Sequence, residues 1–173
     1  MKKGLLAILS WLVSIGGCDY LRGTQDLEKL YGKATPVITA SFASKELKPG
    51  DTWKIYLQAS DPDGDMDQIA CTLTQPAKGE YFPGFVKVGE ENGQELSGYL
   101  YLNTMSRDGL GWMNFLHVTL TVRIRDKAGH YSESVHFPLA FQDRFTQEEP
   151  PPGVYREQDL GPIMILLSSP DSG

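Results

Sequence analysis

In short stretches between residues 37 and 141 apolar side chains recur at every second position, and nowhere does a 3.6-residue period take hold. A period of two sends successive side chains to opposite faces of a strand, so each such stretch reads as a strand with one buried face. The cleanest is 52–59, with Trp53, Ile55, Leu57 and Ala59 on one face and Lys54, Tyr56 and Gln58 on the other. The pattern predicts further strands over 37–42, 68–74 (through Ile69, Cys71 and Leu73), 85–88, 99–102, 116–125 and 135–141. Turn-forming residues separate them, notably Lys48-Pro49-Gly50-Asp51 and Asp61-Pro62-Asp63-Gly64-Asp65. The last two strands read as a hairpin around Asp126-Lys127-Ala128-Gly129. A four-residue loop pairs Arg125 with His130, sets His136 opposite Thr119 and keeps both apolar sets on one face. Gly129 then takes the positive φ that closes a loop built on a type I turn.

About seven short strands with one apolar face each predict an all-β, antiparallel β-sandwich over 36–145. The segment from Gly50-Asp51-Thr52 through Leu57-Gln58-Ala59-Ser60 to Asp65 resembles the second strand and following loop of bacterial Ig-like, PKD-like and cadherin-like domains. Residues 120–130, LTVRIRDKAGH, resemble their closing hairpin. The resemblance implies an Ig-like sandwich and carries little about ligand. The paired inter-sheet cysteines of antibody domains, and the Trp between them, are missing.

The N-terminus carries a different pattern. Lys2 and Lys3 precede an apolar run from Leu5 to Ile15, and Gly16-Gly17-Cys18 follows. That is a secretory signal, too short to span a bilayer core of roughly 30 Å as a stable helix. Ile15-Gly16-Gly17-Cys18 resembles the lipobox of bacterial lipoproteins. The resemblance implies removal of residues 1–17, diacylation of Cys18, and a place in the cell envelope facing the periplasm or the exterior. Asp19 resembles the inner-membrane retention signal of Gram-negative lipoproteins, a rule that does not extend to all bacteria, so either membrane stays open. Residues 18–35 are polar, hold one or two helical turns around 25–31, and read as a tether.

Charge narrows the partners. The chain of 173 residues has a formal charge of −6, and losing Lys2 and Lys3 makes it −8. An acidic chain without a basic stripe repels phosphate backbones, which disfavours nucleic acid. It also repels anionic headgroups, leaving membrane attachment to the lipid. With Cys18 acylated, Cys71 has no partner for an internal disulfide, and its phase with Ile69 and Leu73 predicts a buried, inert thiol.

Candidate chemistry is sparse. Asp61, Asp63, Asp65 and Asp67 alternate, a spacing that can aim carboxylates at one hard cation such as Ca²⁺. Counted from Asp61, the EF-hand positions for Gly and Glu hold Met66 and Thr72, so this is no EF-hand. The competing reading is a tight turn with Asp side chains capping amides. Weak Ca²⁺ is the sole cofactor this reading allows. His117 and His136 read as exposed strand residues, and Glu90-Glu91 and Glu148-Glu149 as solvated pairs. No nucleophile elbow, P-loop or dinucleotide fingerprint occurs, which argues against an enzyme. Tyr81, Phe82, Phe85 and Trp112 lie in or beside the long connections and are expected to plug the ends of the sandwich; an aromatic platform for a sugar is the alternative.

Residues 146–173 complete the chain. A Pro-rich stretch over 147–153 predicts a stiff linker, and Ile163, Met164, Ile165, Leu166 and Leu167 form the most apolar run outside the signal. That run must fold back as an edge strand or add to a partner's sheet. These readings predict a lipid-anchored envelope lipoprotein carrying a non-enzymatic binding or structural module, with a protein partner in the envelope. The alternative is a Ca²⁺-dependent or carbohydrate-binding surface domain.

Overall fold

A computed structural model describes residues 23–106, 108–113, 116–144 and 146–169. Its strands are β1 (Val37–Ala43), β2 (Glu46–Leu47), β3 (Thr52–Ser60), β4 (Met66–Gln75), β5 (Gly79–Glu80), β6 (Gly84–Lys87), β7 (Glu95–Asn103), β8 (His117–Asp126), β9 (Val135–Phe141) and β10 (Asp159–Pro162). They form two sheets packed as a sandwich, ordered β1-β3-β7-β10 and β2-β9-β8-β4-β5, with β6 also on β4. All seven expected strands are present; β2, β5 and β10 are additional. The signal peptide and Cys18 lie outside the described residues.

The sheets are mixed, not purely antiparallel, because β2 runs parallel to β9 and β10 parallel to β7. The first exception arises where the chain leaves one sheet for the other after Ala43. Ala140 N–H donates to Lys45 O at 2.9 Å, and Gln142 N–H to Leu47 O at 2.9 Å, drawing β2 onto the second sheet.

Side-chain alternation fills the space between the sheets. Trp53, Ile55 and Leu57 from one side meet Cys71, Leu73, Leu120 and Val122 from the other, all fully buried. The Trp53 indole N–H donates to Ser44 O at 2.9 Å, so the largest core side chain also satisfies a carbonyl at the sheet crossing. Cys71 is buried, and loss of hydration pushes its thiol pKa up to about 12. A thiol reagent is therefore expected to label native protein far more slowly than urea-unfolded protein; equal rates would contradict this placement.

The β8–β9 hairpin departs from the expected register by two residues. Thr121, not Thr119, faces His136, and Arg125 bridges to Tyr131 rather than His130. Asp126 causes the first residue of this slip. Its N–H donates to His130 O at 3.1 Å, and its carboxylate accepts from Gly129 N–H at 2.6 Å and His130 N–H at 2.8 Å. The loop is thereby one residue longer. An irregularity beyond Ser132, whose hydroxyl accepts the Ile124 N–H at 2.9 Å, supplies the second. A two-residue slip preserves face parity, so the buried set is the expected one. Gly129 has the expected positive φ of 100°. His117 pairs with Ala140, well away from His136.

The C-terminal segment straps the sandwich. Gln147 Oε1 accepts the Lys54 N–H at 3.0 Å, Gln58 Nε2 donates to Val154 O at 2.5 Å, and the Tyr56 hydroxyl donates to Glu157 at 3.1 Å. The Tyr155 ring packs tilted against the Tyr56 ring, centroids 5.5 Å apart, which explains why Tyr56 is buried on the nominally outer face. Gly98 makes the approach possible: a Cβ there would lie 2.4 Å from Gln158 O. The chain then enters β10, and Ile163 N–H extends the pairing to Tyr101 O at 2.8 Å. Ile163, Ile165 and Leu167 are buried between the sheets, while Met164 and Leu166 face outward.

Candidate functional site

At one end of the sandwich the loop after β3 meets the β8–β9 loop. Asp61-Pro62-Asp63-Gly64 closes as a turn, with Gly64 N–H donating to Asp61 O at 3.1 Å and Asp63 N–H to Asp61 Oδ1 at 3.1 Å. The turn directs Asp61 and Asp65 inward, where both are buried beside Asp126. One carboxylate oxygen from each of these three lies within 4.8 Å of the other two. Lys127 N–H spans the loops, at 3.1 Å from Asp65 O and 3.2 Å from Asp65 Oδ2.

Hydrogen bonding leaves this cluster incomplete. Asp61 Oδ2 and Asp65 Oδ1 are buried and have no partner among the described residues. Burial pushes the Asp61 carboxyl up to about 6, helped by Asp65 and Asp126 and opposed by the Asp63 N–H. Asp126 is better satisfied, because its Oδ2 also lies 2.9 Å from His130 Nδ1. Burial works to lower the His130 pKa, but the bonds and charges of Asp126 and Glu28 outweigh it and raise the pKa overall.

The alternating carboxylates therefore divide. Asp61 and Asp65 come together with Asp126, which no local pattern joins to them. Asp63 is exposed and its Oδ2 accepts the Ala34 N–H at 2.7 Å. Asp67 sits at a register irregularity in β4 and pairs with Lys87.

The segment read as a tether packs on this same end. Helix α1 (Thr24–Tyr31) sets Glu28 Oε1 at 3.4 Å from His130 Nε2. Its Tyr31 ring lies 5.9 Å from Lys127 Nζ, and Lys33 Nζ reaches Glu28 at 4.0 Å. Residues 24–34 are thus held by both loops that carry the carboxylates.

The expected end-plugging aromatics also divide. Tyr81 and Trp112 pack against the core, and the Tyr81 hydroxyl bonds Gln75 Oε1 at 2.5 Å and Ser168 O at 3.2 Å. Phe82 and Phe85 instead face solvent, 95% and 54% exposed, so they do not plug anything. Gly84, between them in sequence, faces the tail, whose Met164 N lies 3.5 Å from where a Cβ on Gly84 would stand. Met164 and Leu166 of the tail are exposed as well. Of the residues expected to meet a partner, Ile163, Ile165 and Leu167 are committed to the sandwich interior. No protein-family model and no curated protein matches the sequence.

Proposed function

We propose that this chain is an envelope lipoprotein whose β-sandwich serves as a non-enzymatic binding or structural module, held at a membrane surface through acylated Cys18. The run Ile15-Gly16-Gly17-Cys18 carries this reading, and the docking of residues 24–34 on the carboxylate end of the sandwich supports the geometry it implies. Only residues 19–23 separate Cys18 from that helix. Six residue steps reach at most about 20 Å, so a lipid on Cys18 holds the module close to the headgroups, carboxylate end inward. Among the described residues no helix is long and apolar enough to cross a membrane, and the lipid supplies the attachment. Exposed Phe82, Phe85, Met164 and Leu166 are the apolar side chains this reading offers to an envelope protein partner.

Fractionation tests the anchor. The unmodified sequence is expected in the detergent-soluble membrane fraction, and Cys18→Ser is expected to leave that fraction. A Cys18→Ser protein that has lost residues 1–17 and still stays with membranes to the same extent would overturn the reading.

A further inference from the structure

Asp61, Asp65 and Asp126 form a divalent-cation site, we infer, suited to Ca²⁺ and clamping the loop after β3 to the β8–β9 loop. Acidic clusters are common, but this one has an unusual deficit. Asp61 and Asp65 are 1% and 6% exposed, and one oxygen of each, Asp61 Oδ2 and Asp65 Oδ1, lacks any hydrogen-bond donor among the described residues. A buried carboxylate oxygen without a protein donor is costly, and two in one cluster call for compensation.

The nearby cations are engaged elsewhere. Lys87 pairs with Asp67, Lys127 lies against the Tyr31 ring, and His130 bridges Asp126 and Glu28. Among the described residues, protein donors therefore do not supply the missing charge at Asp61 and Asp65. A metal ion does so from the space the three carboxylates share. Two ligands of one ion can be no farther apart than twice the metal–oxygen distance. For Ca²⁺, at about 2.4 Å per bond, that limit is about 4.8 Å, and one oxygen from each of the three carboxylates lies within it of the other two. Mg²⁺, at roughly 2.1 Å, demands near-ideal octahedral geometry and gives up its waters reluctantly, so an all-protein cluster of three carboxylates suits Ca²⁺ better. Three hard carboxylate oxygens, with water filling the remaining positions, match Ca²⁺ chemistry and offer nothing to a soft, thiolate-seeking metal.

This set differs from the alternating run. Asp63 and Asp67 are excluded by their own partners, whereas Asp126 joins from sixty-odd residues away. The inference is independent of the lipid anchor, since it rests on side chains within the folded module.

The test uses the full mature protein, purified in detergent, stripped with a chelator and held at pH 7.5. Adding CaCl2 to millimolar levels is expected to raise the melting temperature by roughly 5–10 °C at saturation, and MgCl2 by much less. Asp61→Asn should abolish the rise, while Asp63→Asn should retain it. Calorimetric titration of the unsubstituted protein with CaCl2 provides a readout that survives if Asp61→Asn fails to fold. Two results would overturn the site. One is a melting temperature and heat signal indifferent to Ca²⁺, which would mean that a proton shared by Asp61 and Asp65 supplies the compensation. The other is loss of the response in Asp63→Asn as complete as in Asp61→Asn, which would move any binding to the exposed loop.

Discussion

Removing everything after Pro150 is expected to cost this sandwich most of its stability. The deletion withdraws Ile163, Ile165 and Leu167 from the interior, where each is buried. At roughly 1.5–3 kcal/mol for a fully buried aliphatic side chain, the three amount to several kcal/mol. It also strips Tyr155 from Tyr56 and bares the edge of β7, which β10 otherwise covers. Natural domains have about 5–15 kcal/mol in total, so the loss takes up a large share. The urea midpoint of the truncated chain should fall well below that of the intact one, and the bared edge should drive association. An unchanged midpoint and a clean monomer would mean that the tail contributes little to the fold and is free to serve a partner.

Trp53→Ala carries the second large effect. Trp53 is fully buried near the start of β3, opposite Leu102 of β7, and its indole N–H bonds Ser44 O at 2.9 Å. Truncation leaves a cavity and strands that carbonyl where the chain crosses between sheets. Large-to-small aromatic substitutions in cores cost about 3–5 kcal/mol, and the orphaned acceptor adds to this. Trp53→Phe should recover most of the packing and none of the hydrogen bond. Equilibrium urea unfolding is expected to rank the intact chain above Trp53→Phe and Trp53→Ala last. Equal losses for both variants would place the effect in the hydrogen bond rather than in the volume.

Much of this architecture was legible because strand periodicity is a local property. Trp53, Ile55 and Leu57 announce their face from neighbours two residues away, and each expected strand is present. Parity also survived the change of register: the Asp126 carboxylate, by accepting two N–H groups of the loop, shifts the hairpin by one residue, and the irregularity beyond Ser132 shifts it by another. What depended on distant segments was hidden. Tyr56 looked like a surface residue because the strap that covers it comes from residues about a hundred positions later. Phe85 keeps strand alternation yet faces outward, since β6 buries Gly84 and Val86 instead.

The carboxylates show the same divide. Alternation holds for side chains in a strand, but the turn at Pro62-Asp63-Gly64 breaks it, so Asp63 leaves the set that Asp61 and Asp65 share. Nothing near Asp126 in the sequence announces its meeting with them. Its place at the head of a Gly-closed loop was visible, but the loop-to-loop contact through Lys127 N–H required the fold.

The measurement that tests the central claim most directly is the intact mass of the protein extracted from its native membrane with detergent. The account predicts a chain beginning at Cys18, heavier than the unmodified polypeptide by a diacylglyceryl group, with or without a further acyl chain on the new N-terminus. A mature chain that starts elsewhere, or that starts at Cys18 with no added mass, would contradict a lipid-anchored module.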